Sequence, residues 1–145
     1  KKPIAEIMVA HEIPYVATAS PAYWRDLIVK TRKGLEVNGP AFLHVLAPCP
    51  RGWRYETSKT IELARIAVET CVFPLWETVE GEHVLSAPSK VIALKPELKK
   101  PVSEYLKAQG RFGHLFVPEF EHVIEKIQRA VDKRWAQLLK RCEIT

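Results

Sequence analysis

Apolar residues recur at helical spacing from Ile4 to His11, where Ile4, Ile7 and Met8 share a face, and Pro14 closes that segment. Tyr15-Val16-Ala17-Thr18-Ala19 is a short β-prone run and reads as a strand. Ser20-Pro21 then opens a helix, with the serine as N-cap and the proline at the first helical position. That helix runs to about Val37, with Leu27, Ile28 and Leu35 in its apolar stripe, and Asn38-Gly39-Pro40 stops it. Ala41 to Ala47 is apolar almost throughout, the pattern of a strand covered on both faces. Strand, helix and strand with short connections make a βαβ unit, whose strands are expected to be parallel and whose crossover is right-handed. Ligands of open parallel sheets collect beyond the carboxyl ends of the strands. Ser20-Pro21 and Pro48-Cys49-Pro50-Arg51-Gly52-Trp53 occupy that edge here.

The second half is less regular. Ser58 is placed to cap a helix from Lys59 to Cys71, with Ile61, Ala64, Val68 and Cys71 on its apolar face. Phe73 to Glu77 reads as an edge strand, because Pro74 argues against a central one. Glu80-Gly81-Glu82 is a hairpin-like turn before His83 to Ser86. Pro88, Pro96 and Pro101 punctuate what reads as an extended stretch, and Val102 to Ala108 is a short helix. Phe120, Val123, Ile124, Ile127, Val131 and Leu138 mark a long amphipathic helix to the end.

Composition narrows the class. The chain has 145 residues, 47% of them hydrophobic and four of them tryptophan, which is enough for a real core and excludes disorder. The net charge of +5 comes from interspersed acids and bases, with no nucleic-acid motif, so no nucleic-acid partner is expected. A basic face would still draw in an acidic protein partner. No apolar run is long enough for a membrane span and no signal peptide opens the chain, so the reading is a reducing cytoplasm. Lys1-Lys2-Pro3 leads almost at once into a helix without an initiator methionine, as in a chain cut from something longer.

The three cysteines are Cys49, Cys71 and Cys142. An odd number with no CxxC pair makes neither a disulfide framework nor a complete zinc or iron–sulfur site. Cys71 falls on an apolar helix face and reads as packing, and Cys142 near the terminus as incidental. Cys49 stands out: it follows a buried strand at the ligand edge, between two prolines that stiffen its loop. A cysteine there is a ligand, a nucleophile or a small buried hydrophobe, and spacing alone does not decide. His11, His44, His83, His114 and His122 form no metal pair, and His44 reads as a core histidine. Gly110-Arg111-Phe112-Gly113 lacks the Walker lysine and is not a phosphate loop.

Longer stretches carry a resemblance. Ile13-Pro14-Tyr15-Val16-Ala17-Thr18-Ala19-Ser20-Pro21-Ala22-Tyr23, the Gly39 to Trp53 stretch containing Leu46-Ala47-Pro48-Cys49-Pro50-Arg51-Gly52-Trp53, Lys59 to Arg65, Ala67 to Thr70, Phe73 to Glu77 and Pro101 to Phe112 together resemble the β subunit of pyruvate:ferredoxin oxidoreductase, in its carboxyl-terminal portion. Arg51 stands where that family usually has threonine. The resemblance implies an α/β chain: residues 1–80 as the carboxyl-terminal half of a thiamine-diphosphate-binding domain with a parallel sheet and flanking helices, and residues 81–145 as an extension ending in a long helix. It also implies a reaction, the oxidative decarboxylation of pyruvate or a related 2-oxoacid with coenzyme A, giving acyl-CoA and carbon dioxide. The electrons pass through a 4Fe–4S cluster to ferredoxin. Relatives with similar subunits act on oxalate, branched-chain oxoacids or aryl glyoxylates.

The resemblance makes Cys49 one ligand of the cluster nearest the thiamine diphosphate. The family's GDG-and-asparagine motif for magnesium and diphosphate, and the cysteines for the other three cluster ligands, are not in this sequence. The expectation is therefore a chain that works only with other subunits and is inactive alone. The rival is a non-catalytic interaction domain that keeps the fold.

Overall fold

Tyr15–Ala19 (β1) is buried at every residue, and the sheet is built around it. The computed structural model describes residues 2–144. Ile4–Ala10 (α1) precedes β1, and Trp24–Glu36 (α2) follows it behind a 3-10 turn at Pro21–Tyr23. Ser20 caps that turn by accepting the Ala22 N–H at 3.3 Å, with Pro21 at the position where a missing N–H costs nothing. Ala41–Val45 (β2) then pairs parallel with β1, Tyr15 opposite Ala41 and Ala19 opposite Val45. This is the expected βαβ unit.

The sheet as a whole is mixed rather than parallel. Trp76–Val79 (β3) runs antiparallel beside β1, and Glu82–Leu85 (β4) closes a hairpin on it, giving the order β2-β1-β3-β4. The segment read as an edge strand is thus an interior one, displaced along the chain. Pairing starts at Trp76, past Pro74, so the proline removes no ladder bond. Thr18 secures the join by donating to the Pro74 carbonyl at 2.8 Å and accepting the Trp76 N–H at 3.0 Å. Glu80 and Gly81 turn the hairpin with φ of 48° and 89°, the left-handed pair that matches strand twist.

The remaining helices are Pro50–Trp53 (α3), Thr60–Glu69 (α4), Ala87–Leu94 (α5), Val102–Lys107 (α6) and Glu121–Arg141 (α7). Two expectations are corrected among them. Ser58 does not cap α4: it lies in a 3-10 turn at Thr57–Lys59 and bonds Glu56 instead. The stretch read as extended contains α5, because Pro88 falls in the first turn of a helix rather than inside it.

One cluster of buried apolar side chains joins Ala5, Val16, Leu63, Ala67, Trp76 and Leu85 to Val102, Leu106, Val131, Trp135 and Leu138. The α7 stripe enters it, although Phe120 at its start stays exposed. Ile127 packs half-buried against this cluster. Ile127→Asp should therefore cost about 2 kcal/mol and lower the melting temperature by about 4–8 °C. An unchanged melting temperature would place Ile127 on a solvated face.

The helix α2 reverses the amphipathic sense read from its sequence. Ile28 and Leu35 of the expected stripe are exposed, together with Trp24, while Lys30 is 1% exposed. Its ammonium donates to the Thr18 carbonyl at 2.7 Å and to Asp26 at 2.8 Å. Beside it, Glu77 accepts from Lys33 and from the Tyr15 hydroxyl, both at 2.6 Å. Burial alone would push the Glu77 carboxyl up, but those two hydrogen bonds and the positive charges of Lys33 and Lys30 together outweigh it and hold it below the usual carboxylate range. These polar contacts fasten α2 to the sheet, together with the close approach of Gly34 to Leu43, Ala41 and Tyr15.

Candidate functional site

The carboxyl end of β2 leads directly to the cysteine singled out above. The Leu46 N–H still reaches the Ala19 carbonyl at 2.9 Å, so pairing with β1 holds almost to the loop. Cys49 then takes an extended backbone and Pro50 opens the single turn of α3. The thiol is exposed, and its Sγ accepts the Gly52 N–H at 3.3 Å. The Cys49 carbonyl accepts the Trp53 N–H at 2.9 Å, so both ends of the residue are held.

The loop is clamped from the far end of the sequence. Arg54 ends α3 in the left-handed region, φ 56°, and its carbonyl accepts the Gly110 N–H at 2.9 Å. A Cβ on residue 110 would lie 2.7 Å from that carbonyl oxygen, so only glycine allows the approach. The Arg111 guanidinium lies 4.5 Å from the centre of the Trp53 ring and 4.6 Å from that of Phe112. Gln109 steadies it, accepting from Arg111 Nε at 2.9 Å while donating to the Tyr105 carbonyl at 2.7 Å. Tyr105 in turn meets Trp53 edge-on, with centroids 6.3 Å apart. Gly110-Arg111, which from the sequence is only a failed phosphate loop, here braces the cysteine loop.

The other candidates lie elsewhere. Cys71 is buried just past α4, and burial pushes its thiol up to about 12, out of the reactive range. Cys142 is half-buried just past α7, its thiol also raised by burial. His44 packs edge-on against Phe73 at 5.1 Å with its pKa lowered by burial, as a packing histidine should. Ser20 at the ligand edge is wholly buried and engaged as a cap. Among the described residues, no group of three or more His, Cys, Asp or Glu side chains converges to hold a metal. No helix among them is long and apolar enough to cross a membrane.

This architecture is an α/β chain with a parallel pair that ends in one exposed, backbone-bonded thiol. No family model matches it. Curated relatives do. The chain is 43% identical over 144 residues to the ketoisovalerate oxidoreductase subunit VorB of Pyrococcus furiosus, a match covering 99% of this chain and 43% of that protein. It is 47% identical over 133 residues to the pyruvate synthase subunit PorB of Methanosarcina barkeri, covering 91% of this chain and 43% of the relative. It is 42% identical over 146 residues to the pyruvate synthase subunit PorB of Thermotoga maritima, again covering 43% of the relative. Over nearly its whole length the chain is thus similar to subunits of ketoisovalerate oxidoreductase and pyruvate synthase. It spans less than half the length of these relatives.

Proposed function

We propose that this chain is part of the β subunit of a cytoplasmic 2-oxoacid:ferredoxin oxidoreductase, with Cys49 as one thiolate ligand of its 4Fe–4S cluster. The substrate is pyruvate or a branched-chain 2-oxoacid, since relatives named for each match at similar identity. The observation that carries the reading is the exposed Cys49 thiol at the carboxyl edge of the parallel pair, within a chain homologous throughout to such subunits.

The residues fit that group only as part of a larger ligand set. A 4Fe–4S cluster is held by a full set of cysteine thiolates, one on each iron. This chain offers one exposed thiol with a backbone N–H on its sulfur, and its other two cysteines are withdrawn into packing. The missing thiolates, and the oxygen ligands for magnesium and thiamine diphosphate, therefore come from polypeptide other than the described residues. When bound, thiamine diphosphate supplies the electron sink for decarboxylation and the cluster a route for single electrons towards ferredoxin, with coenzyme A accepting the acyl group. This chain's contribution is positional. The Gly110 and Arg111 clamp holds α3, and α3 holds the Gly52 N–H on the thiolate, where hydrogen bonds to sulfur tune a cluster's potential.

Two measurements test the proposal. Calorimetric titration of the isolated chain with magnesium and thiamine diphosphate should be flat; stoichiometric binding would overturn the placement of the site. The assembled enzyme, purified without oxygen, should contain iron, sulfide and thiamine and reduce ferredoxin when given a 2-oxoacid and coenzyme A. An assembly that forms but carries none of these would identify the chain as a non-catalytic interaction domain.

A further inference from the structure

Basic side chains gather at the Cys49 loop without acids to match. Between Val37 and Ile61 the chain carries Arg51, Arg54 and Lys59 against one acid, Glu56. Between Tyr105 and Pro118 it carries Lys107 and Arg111 and no acid. The two segments meet at the end of α3. There the Arg54 carbonyl accepts the Gly110 N–H at 2.9 Å, and the Arg54 Cβ lies 3.0 Å from the place a Cβ on residue 110 would take. Lys30, Lys33, Lys99 and Lys100, away from this loop, each sit on a carboxylate. Among the described residues Arg51, Arg54 and Arg111 have no such partner, and Glu56 is engaged by the Ser58 hydroxyl at 2.7 Å.

Part of this charge is also fixed in place. The Arg111 guanidinium rests on the Trp53 and Phe112 rings, contacts that stabilise a cation and leave it charged. Its Nε donates to Gln109, which is 1% exposed. Trp53 is the last residue of α3, and Arg51 stands in the same four-residue turn, two positions after Cys49. Arg51, Arg54 and the Cys49 thiol are all exposed, so the loop shows solvent one sulfur among cations. Bracing the loop accounts for Arg111. It does not account for Arg51, whose guanidinium makes no hydrogen bond, ion pair or ring contact among the described residues.

We propose that Arg51, with Arg54 and Arg111 behind it, makes the surroundings of the Cys49 sulfur electropositive and so raises the reduction potential of the cluster that this thiolate helps to hold. The second half of that statement rests on the proposed function; the first does not. Reduction by one electron, drawn from the 2-oxoacid, adds one negative charge at the cluster, and nearby cations stabilise that form. Guanidinium groups suit the task because they stay charged at any working pH. Arg51, having no other contact, is also the one of the three that can be changed without disturbing the clamp on α3.

Alkylation of Cys49 reads the field in this chain without any cofactor. Iodoacetate carries a negative charge and iodoacetamide none. The ratio of their rates at Cys49, followed by mass spectrometry of its peptide, cancels the thiolate fraction and reports the charge around the sulfur. Arg51→Thr should lower that ratio about threefold, the effect of one exposed charge, and Arg51→Lys should leave it near the parent value. The loss should shrink in molar salt, where the Debye length falls to about 3 Å, as a purely structural effect would not. In the assembled enzyme, Arg51→Thr should keep its iron and its paramagnetic resonance line shape. The midpoint potential of the cluster should fall by about 30 mV, the same threefold change at about 59 mV per tenfold for one electron. A ratio unchanged by Arg51→Thr would overturn the electropositive loop. A lower ratio with an unmoved midpoint would overturn its effect on the cluster. An assembly without iron would sink the cluster proposal itself, and the ratio would still decide the field at Cys49.

Discussion

Cys49→Ser in the assembled enzyme is expected to lower its iron content and to cut ferredoxin reduction by at least about a hundredfold, since loss of even an outer partner of a metal ligand costs about 10–100-fold. The change removes one sulfur and little volume from an exposed loop whose backbone is held independently. The Trp53 N–H still reaches the residue-49 carbonyl, and Gly110 still holds Arg54. Folding and assembly should therefore survive, which separates loss of a ligand from loss of structure. Cys71→Ser is the contrasting case. Its thiol is buried among apolar side chains, so the hydroxyl should lower the melting temperature while leaving iron and turnover per folded enzyme unchanged. Cys142→Ser should leave iron and turnover unchanged. If Cys49→Ser kept full iron, the same paramagnetic resonance spectrum and the same turnover, Cys49 would be a packing residue and the cluster assignment would fall.

The part of the site carried by consecutive residues is legible in the sequence. Ser20-Pro21 announces a cap, the apolar run at Ala41 announces a strand, and the two together place Cys49 at the carboxyl edge. What escapes depends on distant partners. Nothing near Arg54 shows that its carbonyl will meet Gly110, 56 positions further on in the chain. Nothing in Trp76–Val79 shows that it will slip past its proline and lie against β1. Pro88 reads as a breaker because periodicity cannot tell a proline inside a helix from one in its first turn. The reversal of α2 has a different cause. Reading amphipathicity assumes that the apolar side of a helix faces its own domain. Trp24, Ile28 and Leu35 break that rule by staying exposed, while Lys30 on the same helix turns inward.

That reversal leaves a charged pair where an apolar contact would be ordinary, and Asp26→Ala should cost about 3–5 kcal/mol of stability, as removing one partner of a buried pair does. Lys30 is 1% exposed, and its ammonium has two acceptors in the structure, the Asp26 carboxylate at 2.8 Å and the Thr18 carbonyl at 2.7 Å. Without Asp26 the charge stays buried with one neutral acceptor. Lys30→Met alone leaves the Asp26 carboxylate without its partner, but that side chain is 20% exposed and keeps water, so the change should cost less than Asp26→Ala. Adding it to Asp26→Ala should recover most of the loss, a coupling that only a direct interaction produces. The pH dependence has a definite sign. Burial lowers the Lys30 pKa, against the opposing pull of Asp26, so the folded state sheds its proton before the unfolded chain does. Stability then rises with pH between the lowered folded value and the ordinary lysine value, and loss of Asp26 lowers the folded value further and widens that window. Urea unfolding at neutral and at alkaline pH measures both effects. The Asp26→Ala deficit should shrink on the alkaline side, and a deficit below about 1 kcal/mol at neutral pH would show the pair to be as weak as an exposed one.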